Sequence, residues 1–152
     1  MIQRIQTIYL SLAAITMLVC ACLPIGSFAN TNIGGEVLMY NMCIIYSDSG
    51  VWSFVTIGLA ALLAAGFVTT VFNIYGDKNR KAQSRKCLIS VIIMLLWIAL
   101  YAALVHIISG ETYEFHFGYA AALPLVSILL LFLARKGIIH DEKLIKSIDR
   151  IR

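Results

Sequence analysis

Charged side chains are scarce in this sequence, and their scarcity excludes a soluble globular protein. Only 13% of its 152 residues are Asp, Glu, Lys or Arg, and only two are proline. The mean hydropathy is +0.88. A typical soluble domain carries about 25% charged residues. The composition therefore predicts a membrane protein.

Four apolar stretches are long enough to cross a bilayer as helices. A hydrocarbon core of about 30 Å takes roughly 20 predominantly apolar residues, because lipid offers no partners for free backbone groups. The predicted spans are 7–28, 51–75, 88–108 and 117–134. The expected fold class is an all-α membrane protein: a four-helix transmembrane bundle at 1–136, followed by a tail at 137–152.

Lysine and arginine are absent from two of the three connections, 29–50 and 109–116. All twelve Lys and Arg lie instead before the first span, between the second and third, or after the fourth. Because short loops rich in Lys and Arg stay in the cytoplasm, both termini are predicted to be cytoplasmic. The net charge of +4 then reflects topology and predicts no nucleic-acid binding. The basic connection is expected to contact anionic lipid or a partner. Its basic residues are Lys78, Arg80, Lys81, Arg85 and Lys86.

No Asp, Glu, Lys or Arg lies inside a predicted span. Proton pumps, exporters and ion pathways generally need such a group, and this chain offers only His106, near the end of the third span. His106, Glu111, Glu114 and His116 fall close together, but their spacing matches no metal-ligand run. We therefore predict no catalytic, cofactor-binding or metal-binding residues, and no cofactor.

The cysteines lack the C-x-x-C spacing of disulfide catalysts. Cys20 and Cys22 lie two residues apart, which places their thiols about 200° apart on a helix. Burial as small apolar side chains is the favoured interpretation for the four cysteines. A structural disulfide from Cys43 to Cys20 or Cys22 is the alternative.

The connections without Lys and Arg are rich in β-forming residues. In the second of them, Tyr113, Phe115 and Phe117 alternate with polar residues, which is the period of a strand. A small β-element on the outer side of the bundle is one interpretation. Irregular loops, with their aromatic side chains in the membrane interface, are the other.

Three features of the spans concern packing. Pro124 predicts a kink in the fourth span, and Trp97 and Tyr101, four residues apart, are expected to pack in the core. Small residues at three- and four-residue spacing in the second span predict a close helix contact, either within the bundle or between the protomers of a homo-oligomer. They are Gly58, Ala61, Ala65 and Thr69.

The tail predicts a separate amphipathic helix. Gly137 is expected to end the fourth span and Asp141 to cap the new helix. About ten residues are too few for a stable isolated helix, so its apolar stripe needs either the cytoplasmic leaflet or a partner protein. The stripe consists of Leu144, Ile145, Ile148 and Ile151, with Arg150 among its basic flanking residues.

Four segments, MIQRIQTIYL, RKAQSRKCLI, ALPL and DEKLIKSIDRIR, carry a resemblance to a known family. They resemble a family of small four-span membrane proteins of Bacteroidota, which are described only as containing a domain of unknown function. The resemblance implies a multi-pass protein of the bacterial cytoplasmic (inner) membrane with both termini inside. It implies no activity, cofactor or site residue.

Two functions stay open. The preferred prediction is a non-catalytic accessory or scaffold protein that presents its basic loop and tail helix to a partner or to the leaflet. The alternative is a membrane redox or transport component that uses the outer cysteines or His106.

Overall fold

The computed structural model describes residues 3–30, 36–47, 50–75, 80–109 and 113–149. Most of the chain is helical. The helices are α1 (Gln3–Cys22), α2 (Ile57–Tyr75), α3 (Arg80–Ser109) and α4 (Leu123–Asp149), with a 3-10 helix at Tyr119–Ala122. Within the described residues, these four helices are long and apolar enough to cross a membrane. The expected set of four apolar helices is thus confirmed.

A five-stranded antiparallel sheet stands at one end of the helices. Its strands are β1 (Gly26–Asn30), β2 (Glu36–Met39), β3 (Ile44–Tyr46), β4 (Trp52–Ser53) and β5 (Tyr113–Phe117), in the spatial order β4-β3-β2-β1-β5. In β5, Phe115 is paired with Phe28 of β1. The alternation in β5 therefore identified a real strand, and the β-element is confirmed.

The sheet is larger than the sequence indicated, because β1 takes residues that were predicted to end the first span and β4 takes residues that were predicted to begin the second. α1 stops at Cys22, two residues before Pro24. Proline has no N–H to donate and disfavours helical geometry in the residue before it. Ile25 precedes β1 and Phe28 lies in it, and both side chains are buried.

Consecutive helices alternate in direction, so α1 and α3 run towards the sheet and α2 and α4 run away from it. We call the two ends of the bundle the sheet end and the basic end, the latter holding the end of α2 at Tyr75 and the start of α3 at Arg80. α1 and α3 each pack against both α2 and α4. Leu10, Met94 and Leu131 are among the fully buried core residues.

The outward faces of all four helices are apolar. Ile8, Phe72, Leu96 and Leu129, one from each helix, are between 53% and 64% exposed, as are many similar side chains. Exposed apolar surface of this extent is unusual in a soluble monomer and suits contact with lipid.

Three predictions about α4 are wrong. Pro124 does not kink it, because Pro124 is its second residue and lies in the first turn, where the missing N–H has no helical partner to lose. Gly137 does not end it and Asp141 does not cap a separate helix, since α4 runs without interruption to Asp149. A Cβ atom on Gly137 would lie 3.0 Å from Cγ of Gln6, so this glycine allows α1 and α4 to approach closely.

Candidate functional site

The basic end is held together by polar side chains between α1 and α4. Gln6 Nε2 donates a hydrogen bond to Asp141 Oδ2, and the two residues are 5% and 4% exposed. A buried carboxylate or amide needs such a partner, because desolvation penalises it otherwise. Ile138, one turn before Asp141, is fully buried. The first turn of α1 therefore fixes α4 well beyond Gly137.

Hydroxyl and amide groups also join α2 to α3. Thr69 Oγ1 and Ser90 Oγ are 2.8 Å apart, and Asn73 Nδ2 donates to Cys87 Sγ at 2.9 Å. Gly66 lies between α2 and α3, where a Cβ would collide with Cε of Met94. Close approach at this glycine places the polar groups within hydrogen-bonding distance.

The residues of the predicted small-residue stripe lie in two places: some contact α3, and the others are exposed on the outside of α2. A Cβ on Gly58 would meet Leu100 of α3 at 3.3 Å, and Thr69 contacts Ser90 of the same helix. Ala61 and Ala65 are exposed on the outside of α2. The stripe as a single packing surface stays a prediction, and the fully buried glycine of this helix is Gly66.

The predicted contact residues lie at the basic end as far as the structure describes them. Arg85 is exposed and Lys86 is half-buried, both near the start of α3. Arg80 and Lys81 belong to α3, and Leu144, Ile145 and Ile148 belong to α4. The structure describes the backbone of these five residues but not the surroundings of their side chains. Lys78, Arg150 and Ile151 also lie outside them.

At the sheet end, the turn between β2 and β3 reaches into the bundle. Its Asn41 is 1% exposed. Trp97 Nε1 donates to Asn41 Oδ1 at 3.0 Å, and Asn41 Nδ2 donates to the carbonyl of Cys20 at 2.6 Å. That carbonyl is one of the last four of α1, which have no partner within the helix. One side chain thus connects the sheet to α1 and α3.

Aromatic rings continue this contact towards the sheet. The rings of Trp97 and Tyr101 stack with centroids 5.2 Å apart, and Tyr101 Oη donates to the carbonyl of Ile25 at 2.8 Å. Phe115 and Phe117 of β5 stand edge-on to Tyr101, at 6.4 and 6.2 Å. The prediction that Trp97 and Tyr101 pack in the core is confirmed.

A cavity of about 450 Å³ opens beside these rings, between α3, β5 and the start of α4. We call it the aromatic pocket. Its described lining residues are Trp97, Ile98, Tyr101, Ala102, Val105, His106, Ser109, Phe115, Phe117, Ala121 and Leu125.

The described cysteines form no disulfide, and the described metal-ligand candidates form no cluster. All four thiols are free, Cys20, Cys43 and Cys87 are buried, and Cys22 is exposed. Among the residues that the structure describes, no three His, Cys, Asp or Glu side chains are grouped to hold a metal ion. Glu111 lies outside that part of the chain.

Sequence reasoning missed the roles of Gln6, Asn41 and Asn73. An amide beside an apolar stretch signals that it needs a partner. Its partner, however, lies on another element, such as Asp141 for Gln6, and no local pattern identifies that element.

No match was found among curated proteins. Residues 2–151 match the family described as a domain of unknown function, DUF4293. The match covers both the bundle and the sheet, and the chain therefore belongs to this family.

Proposed function

We propose that the protein is an accessory or scaffold protein of a bacterial cytoplasmic membrane, of the kind found in Bacteroidota, with both termini in the cytoplasm. In this proposal the basic end faces the cytoplasm and the end of α4 binds a partner protein. The four apolar helices support the membrane placement. The confinement of Lys and Arg to one side of the spans supports the orientation.

The observation that carries the proposal is the uninterrupted course of α4. Its 27 residues span about 40 Å at 1.5 Å per residue, against about 30 Å of hydrocarbon core. A tail that lies flat on the leaflet would have to bend where it leaves the span. At that place Gly137 packs on Gln6, and Asp141 accepts the hydrogen bond from Gln6. In this proposal the tail projects from the membrane, and the straight course of α4 supports a protein partner over the lipid surface.

The alternative, a redox or transport component, has less support. Three of the four cysteines are buried. His106 is exposed at the last turn of α3, and none of its described hydrogen bonds reaches a second titratable side chain.

Co-purification of the tagged full-length protein from its own membranes tests the proposal. Ile148→Asp places a charge on the apolar stripe of the tail, and Ser147→Asp places the same charge about 100° away around the helix, off the stripe. We expect a protein recovered in stoichiometric amount with the unchanged chain and with Ser147→Asp, but lost with Ile148→Asp. Recovery of the protein alone from all three strains would overturn the proposal.

A shortened chain gives a second test. A stop codon in place of Lys143 keeps Asp141 and its bond to Gln6, so the bundle should keep its melting temperature. The partner should be lost with the tail. Retention of the partner by this shortened chain would move the contact to another surface.

A further inference from the structure

The walls of the aromatic pocket are apolar because their polar atoms are bound elsewhere. Trp97 Nε1 donates to Asn41, and Tyr101 Oη donates to the carbonyl of Ile25. An occupant of the pocket would therefore contact the aromatic rings, because these two donors already have acceptors. Phe115 and Phe117 complete the aromatic wall, with their own ring centroids 6.2 Å apart.

Apart from Trp97 and Tyr101, the polar side chains among the described lining residues are His106 and Ser109. His106 and Ser109 lie in the last turn of α3, next to the sheet. Among the described lining residues there is no Lys, Arg, Asp or Glu. The connections on this side of the spans also lack Lys and Arg in the sequence. A phosphate headgroup would find no Lys or Arg here, whereas a neutral head could accept a hydrogen bond from His106. The hydroxyl of Ser109 donates to the carbonyl of His106 at 3.5 Å.

The other side of the pocket opens on the apolar flank of the bundle. Ala102 is exposed on α3, and Leu125 on α4 is 54% exposed. Given the proposed placement in a membrane, on which this inference rests, the opening faces lipid. An occupant would enter sideways, with its head near His106 and its chain leaving past Ile98 and Leu125. The volume of about 450 Å³ lies within the roughly 300–1,000 Å³ of small-molecule sites.

We propose that the aromatic pocket binds an isoprenoid quinone. A quinone has a flat, uncharged ring that packs on aromatic faces, carbonyl oxygens that accept hydrogen bonds, and an apolar chain that can remain in the bilayer. This combination fits a pocket lined by Tyr101 and Phe117, with the donor His106 at one rim and an opening to lipid at the other. The proposal concerns binding and assigns no electron transfer.

The fluorescence of Trp97 can report the binding directly. The chain has only two tryptophans, and Trp52 is 59% exposed in β4, away from the pocket. In a Trp52→Phe background, purified full-length protein in detergent would be titrated with menaquinone-4. We expect saturable quenching of the Trp97 emission, unaffected by a tenfold excess of phosphatidylglycerol.

Two neighbouring alanines give a matched pair of variants. Ala102 lines the pocket, whereas Ala103 is also exposed but is not among the lining residues. Ala102→Phe should fill the pocket and weaken binding at least tenfold, while Ala103→Phe should leave it unchanged. His106→Leu, which keeps the apolar walls, should weaken binding by about fivefold, the effect of one hydrogen bond.

Two outcomes would overturn the inference, and a third would refute the proposed position of the head. Non-saturable quenching that is equal in the Ala102→Phe and Ala103→Phe proteins would mean simple partition into detergent. Displacement by phosphatidylglycerol would assign the pocket to phospholipid chains. Unfolding of Ala102→Phe is recognised by its melting temperature, and unchanged affinity in His106→Leu would then refute the proposed position of the head. The partner experiments concern the opposite end of the bundle, so either proposal can fail alone.

Discussion

Asn41 connects three parts of the molecule through one side chain. It donates to the carbonyl of Cys20, accepts from Trp97, and stands in the turn between β2 and β3. Both hydrogen bonds are buried, where an unsatisfied donor or acceptor is expensive. The amide thus holds the sheet to both helices, and its loss would leave a buried donor and a buried acceptor without partners.

Asn41→Leu should lower the free energy of unfolding by about 2 kcal/mol, because it leaves Trp97 Nε1 without its acceptor. Thermal unfolding in detergent would be followed by the reaction of the buried thiols of Cys20, Cys43 and Cys87 with a fluorogenic maleimide, in a Cys22→Ser background. Met42→Leu is the control, because Met42 is 58% exposed in the same turn. Equal melting temperatures for the two variants would contradict this role of Asn41.

At this scale, the sequence predicts side chains that share one element and misses those that meet across elements. Trp97 and Tyr101 were placed correctly because four residues on a helix define a common face. Asn41 was missed because its burial depends on where the β2–β3 turn sits on the bundle. That position arises from long-range contacts which no local pattern contains.

At the scale of the element, Gly118 is the residue on which the junction between β5 and α4 depends. Its φ of −81° is open to any residue, so conformational freedom is not what it provides. A Cβ there would lie 2.5 Å from the carbonyl carbon of Ile25 and 2.8 Å from the backbone nitrogen of Gly26. Backbone atoms cannot rotate away, so the absence of a side chain is required.

Gly118→Ala should therefore reduce stability by about 2 kcal/mol or more, the range for overpacking a tight contact. Gly66→Ala should have a smaller effect, because the atom in its way is the flexible end of Met94. Melting temperatures of the two purified variants, measured by the same thiol assay, provide the comparison. A larger loss of stability in Gly66→Ala than in Gly118→Ala would contradict this, because it would mean that the contact between α2 and α3 is less able to rearrange than the junction between β5 and α4.

The boundaries of the elements were predicted less well than their number. An apolar run does not distinguish a buried strand from the end of a span, so Phe28 was assigned to a helix and lies in β1. The effects of Gly137 and Pro124 were also predicted wrongly. Each was interpreted as a helix-breaking residue, without knowledge of the side chains that pack against it or of its position in the helix. In α4 the first makes room for Gln6, and the second lies where a helix tolerates it.

At the scale of the whole molecule, the distribution of charge predicts which end faces the cytoplasm. The proposal places Arg85, at the basic end, inside the cell and Ser47, at the end of β3, outside. Both side chains are exposed, so a cysteine at either position can react with a reagent from water.

Ser47→Cys should react with a membrane-impermeant maleimide in intact cells, whereas Arg85→Cys should react only after the cells are opened. Both variants would carry Cys22→Ser, since Cys22 is the exposed natural cysteine. The outer membrane of a Gram-negative host would be permeabilised first. Labelling of Arg85→Cys alone in intact cells would reverse the orientation.

The order of the strands has a consequence for biogenesis. β1 pairs on one side with β2, which follows it directly, and on the other with β5, which the ribosome makes only after α2 and α3. Until β5 arrives, the backbone groups along that edge of β1 are unpaired, which leaves a strand open to other chains or to proteases. A chain that is truncated or incompletely inserted would thus expose an unpaired edge of β1, which is covered in the complete protein. We expect the pairing of β5 with β1 to complete the sheet, so that a complete sheet signals that the first three helices have been inserted.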